Sequence, residues 1–264
     1  MAKTTTILSQ DFINHYSISS FFNAEKQGGQ KRVYFIIKDG IKQVLKIAPD
    51  FQDERLIREM EIYKKYEGYP GIPKIISFEE YHGEAIIFEE FIEGDTLSDI
   101  VKSYANDCIK TRGLLKSLIE IMDPLWQNSV VHRDIKPDNI MIKNTGEIIL
   151  LDFGIARDLS VSSITSPGFQ PGTYIWSAPE QLQGHKDQIS YRTDLFAIGV
   201  LGYFLYHQKM PFGNNHDEVK MKYESADENF EIGSSCDFNL FLKDALRFSP
   251  GYRPRLIKDY LKNL

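Results

Sequence analysis

The hydrophobic pattern in the first third of the chain is that of strands with one helix among them. Residues 33–38 (VYFIIK) and 44–48 (VLKIA) are rich in β-branched and aromatic side chains. Asp39-Gly40 stands between them, a pair that strongly favours a tight hairpin. Residues 51–66 are charged, with Leu56, Met60 and Tyr63 at i, i+4 and i+7, which predicts an amphipathic helix. The segment 68–73 (GYPGIP) ends that helix with two prolines and two glycines. Two more strands, over residues 74–78 and 85–91, flank the turn at His82-Gly83.

Beyond Gly94 the periodicity becomes mainly helical. Residues 111–127 carry apolar positions at helical spacing, and Pro124 predicts a kink or a shift of register there. Residues 130–153 read as short strands and loops, and 155–177, rich in Ser, Thr, Pro and Gly, as one long loop. Helical spacing returns from Glu180. The run 195–206 (LFAIGVLGYFLY) is apolar all round, which places its helix inside a core. The expected class is α+β in one catalytic domain. A small antiparallel β-rich lobe with one helix (about 15–92) is joined by a linker (about 90–95) to a larger, mainly helical lobe (about 95–264).

Composition narrows the function classes. The chain has 264 residues, 42% apolar and 26% charged, close to the averages of globular domains and unlike those of disordered or fibrous chains. Lys plus Arg against Asp plus Glu gives 31 − 37 = −6, which offers no general grip on nucleic acid or anionic lipid. Cys108 and Cys236 lie far apart without CxxC spacing, which argues against a disulfide framework or zinc site and for a reducing compartment. The first residues hold no apolar stretch suited to secretion, and the longest apolar run is too short to span a bilayer. The expectation is a soluble, cytoplasmic protein.

The chemistry sits in three short motifs: HRDIKPDN at 132–139, DFG at 152–154 and APE at 178–180. Their order and proximity make coincidence negligible. At these residues the chain resembles the eukaryotic-type (Hanks-type) Ser/Thr protein kinase superfamily, and the resemblance spans nearly its whole length. It implies the bilobal kinase fold and transfer of the γ-phosphoryl group of ATP. Phosphoryl transfer through a loose, highly charged transition state needs positioning and charge neutralisation above all. By resemblance, Asp134 orients the acceptor hydroxyl and takes its proton, and Lys136 reaches the γ-phosphate. Asn139 and Asp152 are the implied ligands of Mg2+, with Mn2+ as an alternative. Lys46 matches the lysine that contacts the α- and β-phosphates. Glu59 is its implied partner on the first helix, with Glu61 competing for that role.

The glycine-rich loop departs from the family pattern. Lys26, Gly28 and Lys31 occupy its three glycine positions, and only Gly28, with Gly29 beside it, fits. Lys26 or Lys31 could supply positive charge to phosphates there. At the linker, FEEFIEGDTL resembles the family's MEYxxGxSL. That register implies adenine contacts from the backbones of Glu90 and Ile92, and ribose contacts from Asp95 or Thr96. Glu89 then guards the back pocket, or Phe88 after a one-residue shift. A carboxylate buried there needs a partner or a raised pKa. Val33, Val44 and Met141 are the implied walls around the adenine ring.

Lys136 within HRDIKPDN resembles Ser/Thr rather than tyrosine kinases. Gly172-Thr173, upstream of the APE motif, resembles the loop on which a peptide substrate lies, with Thr173 bonded to Asp134 and Lys136. The resemblance also pairs Arg253 with Glu180 and uses Asp194 to brace the HRD backbone. Arg58, Arg133 and Arg157 match positions that converge on a loop phosphate. Thr165 or Ser166 is the implied phosphosite, with Ser160, Ser162 and Ser163 as lesser candidates. Protein substrates bearing Ser or Thr are the implied partners. Control is expected to act through the loop, the lobe interface or a separate regulatory protein. The competing classes are a pseudokinase that binds without turnover and a small-molecule phosphotransferase.

Overall fold

Residues 38–41 and 81–84 show why the strands pair as they do. Asp39 and Gly40 have φ of 53° and 76°, and His82 and Gly83 have 52° and 84°; both pairs therefore adopt the left-handed geometry of two-residue hairpin turns. In the computed structural model, which describes residues 8–22, 26–28, 31–154, 156–159, 174–231 and 238–264, the chain divides into two compact units between Glu93 and Gly94.

The first unit opens with helix α1 (Gln10–His15), strand β1 (Ile18–Phe21) and strand β2 (Lys26–Gly28). The two hairpins follow: β3 (Lys31–Lys38) with β4 (Ile41–Ala48), and β5 (Ile75–Tyr81) with β6 (Glu84–Glu90), separated by helix α2 (Glu54–Lys65). The strands form one antiparallel sheet in the order β1-β3-β4-β6-β5, with β2 also on β3. Register then assigns the faces. Tyr34, Ile36, Leu45, Ile47, Ile86 and Phe88 point one way into a core with Phe12, Tyr16 and Ile18. The ring of Phe12 lies 4.8 Å from that of Tyr16 and 5.2 Å from that of Tyr81. Alternation sends Val33, Val44, Lys46, Ile87 and Glu89 to the other face. Asp53 caps α2 by accepting the amide of Arg55, and Leu56, Glu59, Met60, Ile62 and Tyr63 form its buried side.

The second unit starts with strand β7 (Gly94–Thr96) and short helix α3 (Leu97–Ile100), followed by the long helix α4 (Cys108–Gln127). Helix α4 runs through Pro124 to Gln127 as one element, so the proline at which the sequence predicts a kink or a shift of register lies inside the helix. Cys108 opens this helix and is disulfide-bonded, which corrects the expectation drawn from cysteine spacing. Distance along the sequence does not limit distance in the fold. The other cysteine of the sequence, Cys236, lies outside the described residues.

Strand β8 (Val130–Val131) precedes β9 (Ile140–Lys143), β10 (Ile148–Leu150) and β11 (Arg157–Asp158). The pairings are β10-β9-β7 and β11-β8, all antiparallel. A β-carbon on Gly94 would stand 2.1 Å from the carbonyl oxygen of Ile142, so β7 can approach β9 this closely only with glycine there. Helices α5 (Pro179–Leu182), α6 (Tyr191–His207), α7 (His216–Glu224), α8 (Asn239–Ala245) and α9 (Ile257–Lys262) complete the unit. Helix α6 is buried on nearly every side, as its apolar text predicts. Gly202 lets it pack against Leu115 of α4, whose Cδ1 a β-carbon would meet at 2.7 Å. No helix among the described residues is long and apolar enough to cross a membrane.

Arg253 and Glu180 form a bidentate ion pair at 2.7 and 3.0 Å, with both side chains fully buried. The remaining guanidinium donors meet the carbonyls of Arg247, Arg192 and Phe248, and Glu180 also accepts from Thr193 Oγ1. Every donor of the fork is therefore satisfied, the condition under which a buried charge is tolerated. Arg253→Met would strand Glu180 as an uncompensated buried carboxylate. The expected loss is about 3–5 kcal/mol of stability, measured by urea unfolding followed through far-UV circular dichroism.

Candidate active site

The HRD segment is organised from below by one carboxylate. Asp194, in the first turn of α6, accepts hydrogen bonds from the amides of His132 (2.8 Å) and Arg133 (2.7 Å) and from Trp126 Nε1 (2.8 Å). It is fully buried, and burial pushes its carboxyl above the ordinary aspartate range, against the pull of those N–H donors. Arg133 takes the left-handed conformation, φ 70°, which the bonds on either side of it hold in place. Gln181 Nε2 adds a bond to the Arg133 carbonyl at 3.0 Å.

His132 is a structural relay. Its Nδ1 accepts the amide N–H of Asp134 at 3.2 Å, so Nε2 carries the ring proton and donates to the Leu151 carbonyl at 3.0 Å. The ring lies 4.7 Å from that of Phe153, which is buried. The HRD and DFG segments are thereby joined through one imidazole. The amide of Leu151 also donates to the Asn139 carbonyl at 2.7 Å.

Asp134, Lys136 and Asn139 come together. Lys136 Nζ donates to both carboxylate oxygens of Asp134 at 3.0 and 2.8 Å. Asn139 Nδ2 donates to the Asp134 carbonyl at 2.8 Å and to its Oδ2 at 2.9 Å. With its amide hydrogens directed at Asp134, Asn139 offers its carbonyl oxygen to a cation. Asp152, φ 60°, is exposed and accepts the Gly154 amide at 3.1 Å. An amide oxygen plus a carboxylate is a hard donor set that fits Mg2+ or Mn2+ completed by phosphate oxygens. Among the described residues no group of three or more His, Cys, Asp or Glu forms a self-contained metal cage, and a magnesium shared with phosphates does not need one.

In the first unit, Val33 stands opposite Lys46 and Val44 opposite Glu89, all on the sheet face away from the aromatic core. Lys46 Nζ meets Glu89 Oε2 at 2.6 Å. Glu59 Oε2 meets Lys31 Nζ at 2.5 Å. The resemblance implied a pairing of Lys46 with Glu59, and each of the two also has another partner: Glu89 for Lys46 and Lys31 for Glu59. Lys31 replaces a loop glycine and brings an extra cation within reach of α2, while Glu89 supplies a carboxylate on the neighbouring strand. The competing candidate Glu61 is exposed, whereas Glu59 is 3% exposed. Phe88 faces the opposite core, so of the two back-pocket candidates Glu89 shares the face of Lys46.

Gly28 ends β2 opposite Lys31, and Gly29 lies outside the described residues. Glu90 exchanges bonds with Lys74: its amide donates to the Lys74 carbonyl, and its Oε1 accepts the Lys74 amide at 2.8 Å. Ile92 is buried. In the second unit, Thr96 pairs with Met141 and the exposed Asp95 with Ile142, bringing the ribose and adenine candidates together on β7 and β9. Arg157 lies on β11 opposite Val131, and Arg58 on α2. Thr173, Gly172, Thr165, Ser166, Ser160, Ser162 and Ser163 fall outside the described residues. Sequence reasoning missed Trp126 and Gln181 as supports of the HRD segment. Gln181 follows the APE motif directly, and its burial at 5% exposure is the property that sequence alone does not display.

A family model described as the protein kinase domain matches residues 28–261. Serine/threonine-protein kinase pkn2 of Myxococcus xanthus is 33% identical over 165 residues, covering 60% of this chain and 20% of that protein. Serine/threonine-protein kinase PknD of Mycobacterium tuberculosis is 31% identical over 162 residues, covering 59% and 24%. The probable serine/threonine-protein kinase PknB of Lactococcus lactis is 28% identical over 159 residues, covering 59% and 25%. The matched regions thus span only a fifth to a quarter of these relatives' lengths. From the motifs, the organised HRD segment and the family match over most of its length, the chain belongs to the protein kinase domain family.

Proposed function

We propose that the chain is a serine/threonine protein kinase that transfers the γ-phosphoryl group of ATP to protein hydroxyls and also phosphorylates itself. The observation that carries this reading is the Asp134 carboxylate, held by Lys136 and Asn139 and fixed through Asp194 and His132. So placed, it can orient a serine or threonine hydroxyl and accept its proton as oxygen attacks phosphorus. Lys136 is positioned to stabilise charge on the transferring group. Lys46 would hold the α- and β-phosphates, and Val33, Val44, Glu90, Ile92, Asp95 and Met141 the nucleoside, with Gly28 and Gly29 over the phosphates. Asn139 and Asp152 would hold a divalent cation, which when bound neutralises phosphate charge.

Thr173 would favour Ser and Thr acceptors. Arg58, Arg133 and Arg157 would receive a phosphate placed on Thr165 or Ser166, charge-assisted pairs strong enough to order a loop. Control is assigned to that loop and to a separate regulatory protein. The need for ATP supports a cytoplasmic setting, although the disulfide at Cys108 weighs against a strongly reducing one.

The direct test incubates the purified chain with labelled ATP, magnesium and a generic basic protein. Label should appear on that protein and on the chain, and Asp134→Asn should reduce transfer by about 10²–10⁴-fold. Lys46→Ala should cause a comparable loss, and chelation should abolish transfer until Mg2+ or Mn2+ is restored. No label on either protein would refute the reading, and label confined to small metabolites would make the chain a small-molecule phosphotransferase. Loop control has its own measurement: intact-mass and activity comparison of the Thr165→Ala/Ser166→Ala double variant. It should lose a phosphate and at least about tenfold in activity, and unchanged activity would dismiss that role.

A further inference from the structure

Two ion pairs lie in the first unit where the kinase resemblance implies one. Lys46 on β4 and Glu89 on β6 are diagonal neighbours across adjacent strands, since Lys46 stands opposite Ile87 and Val44 opposite Glu89. Their 2.6 Å contact is largely withdrawn from water, with side chains 15% and 4% exposed. Glu89 is held in the sheet between β4 and β5, opposite Val44 on one side and Ile75 on the other. Strand pairing on both sides keeps its side chain on this face of the sheet. A carboxylate fixed there requires a cation, and Lys46 supplies it. Also on this side of the unit, Lys31 on β3 pairs with Glu59 on α2 at 2.5 Å with 18% and 3% exposure, and the more exposed Lys42 on β4 pairs with Glu93 at 3.1 Å.

We infer that Glu89 is the positioning residue for Lys46, and that Lys31 with Glu59 forms a second pair tying α2 to β3. Glu89 and Lys46 belong to one hydrogen-bonded sheet, so the lysine is placed by strand register. A movement of α2 would then leave the Lys46–Glu89 contact intact. The inference rests on the kinase reading for the task of Lys46, but its contacts can be tested without turnover.

The test follows acylation of Lys46 by a small amine-directed reagent as a function of pH, read by peptide mass spectrometry on the full chain without nucleotide. Altered access to the reagent changes the rate, whereas loss of a paired carboxylate moves the titration midpoint. Glu89→Gln should lower the Lys46 midpoint by about one pH unit or more. Glu59→Gln should move it less than half as far. A larger shift from Glu59→Gln, or none from Glu89→Gln, overturns the inference. If Glu89→Gln does not fold, Glu89→Met is compared with Glu89→Met/Lys46→Met. The double variant should regain most of the melting temperature lost by the single one, because both charges are then gone. Failure of that rescue also overturns the inference. Absence of phosphoryl transfer in the unaltered chain would refute the kinase reading while leaving the titration result standing.

Discussion

Three N–H groups converge on the fully buried carboxylate of Asp194, and the HRD segment is arranged around satisfying that one acceptor. Two of the donors are consecutive backbone amides, of His132 and Arg133, which can point the same way only if the chain turns sharply between them. The left-handed conformation of Arg133 is that turn. Strain of about 1–3 kcal/mol is typical for such a residue, and here bonds to Asp194 and Gln181 offset it. The turn delivers the next residue, Asp134, with its amide bonded to His132 and its carboxylate held by Lys136 and Asn139. The geometry at Asp134 thus originates in a fully buried residue one segment away, Asp194.

The first unit solves a different problem by strand alternation. Odd and even residues of β4 and β6 take opposite sides: Leu45, Ile47, Ile86 and Phe88 build the aromatic core, while Val44, Lys46, Ile87 and Glu89 line the other face. A one-residue slip of register would exchange the two sets and bury the lysine among the rings of Phe12 and Tyr16. The buried core therefore fixes the register that places Lys46 beside Glu89. The positive-φ turns at Asp39-Gly40 and His82-Gly83 fix it a second time, through hairpin length.

Much of this was legible because it depends on local chemistry. The hairpins follow from turn residues that tolerate positive φ, α2 from its apolar spacing, and α6 from an uninterrupted apolar run. The residues of the HRD and DFG segments identify themselves by type and order. What escaped is long-range or short in extent. Helix α1 has six residues and buries Phe12 alone, too little for a periodic signal, although Ser9 caps it. The choice of Glu89 for Lys46 depends on which strands are neighbours. Lys31 reaches Glu59 across 28 positions. Pro124 lies inside α4, which continues to Gln127.

The bond from the Trp126 indole to Asp194 has a spectroscopic meaning as well. The sequence contains two tryptophans, Trp126 and Trp176, and both lie beyond Glu93. Trp176 packs edge-on against Phe204 at 5.2 Å in the helical unit. Intrinsic tryptophan emission therefore reports on that unit alone, and the β-rich unit is dark in that channel. Because Trp126 donates to the same oxygen as the amide of His132, its spectrum is coupled to the charge and position of the group beneath the HRD segment. The chain thus carries a native optical probe two hydrogen bonds away from its HRD segment.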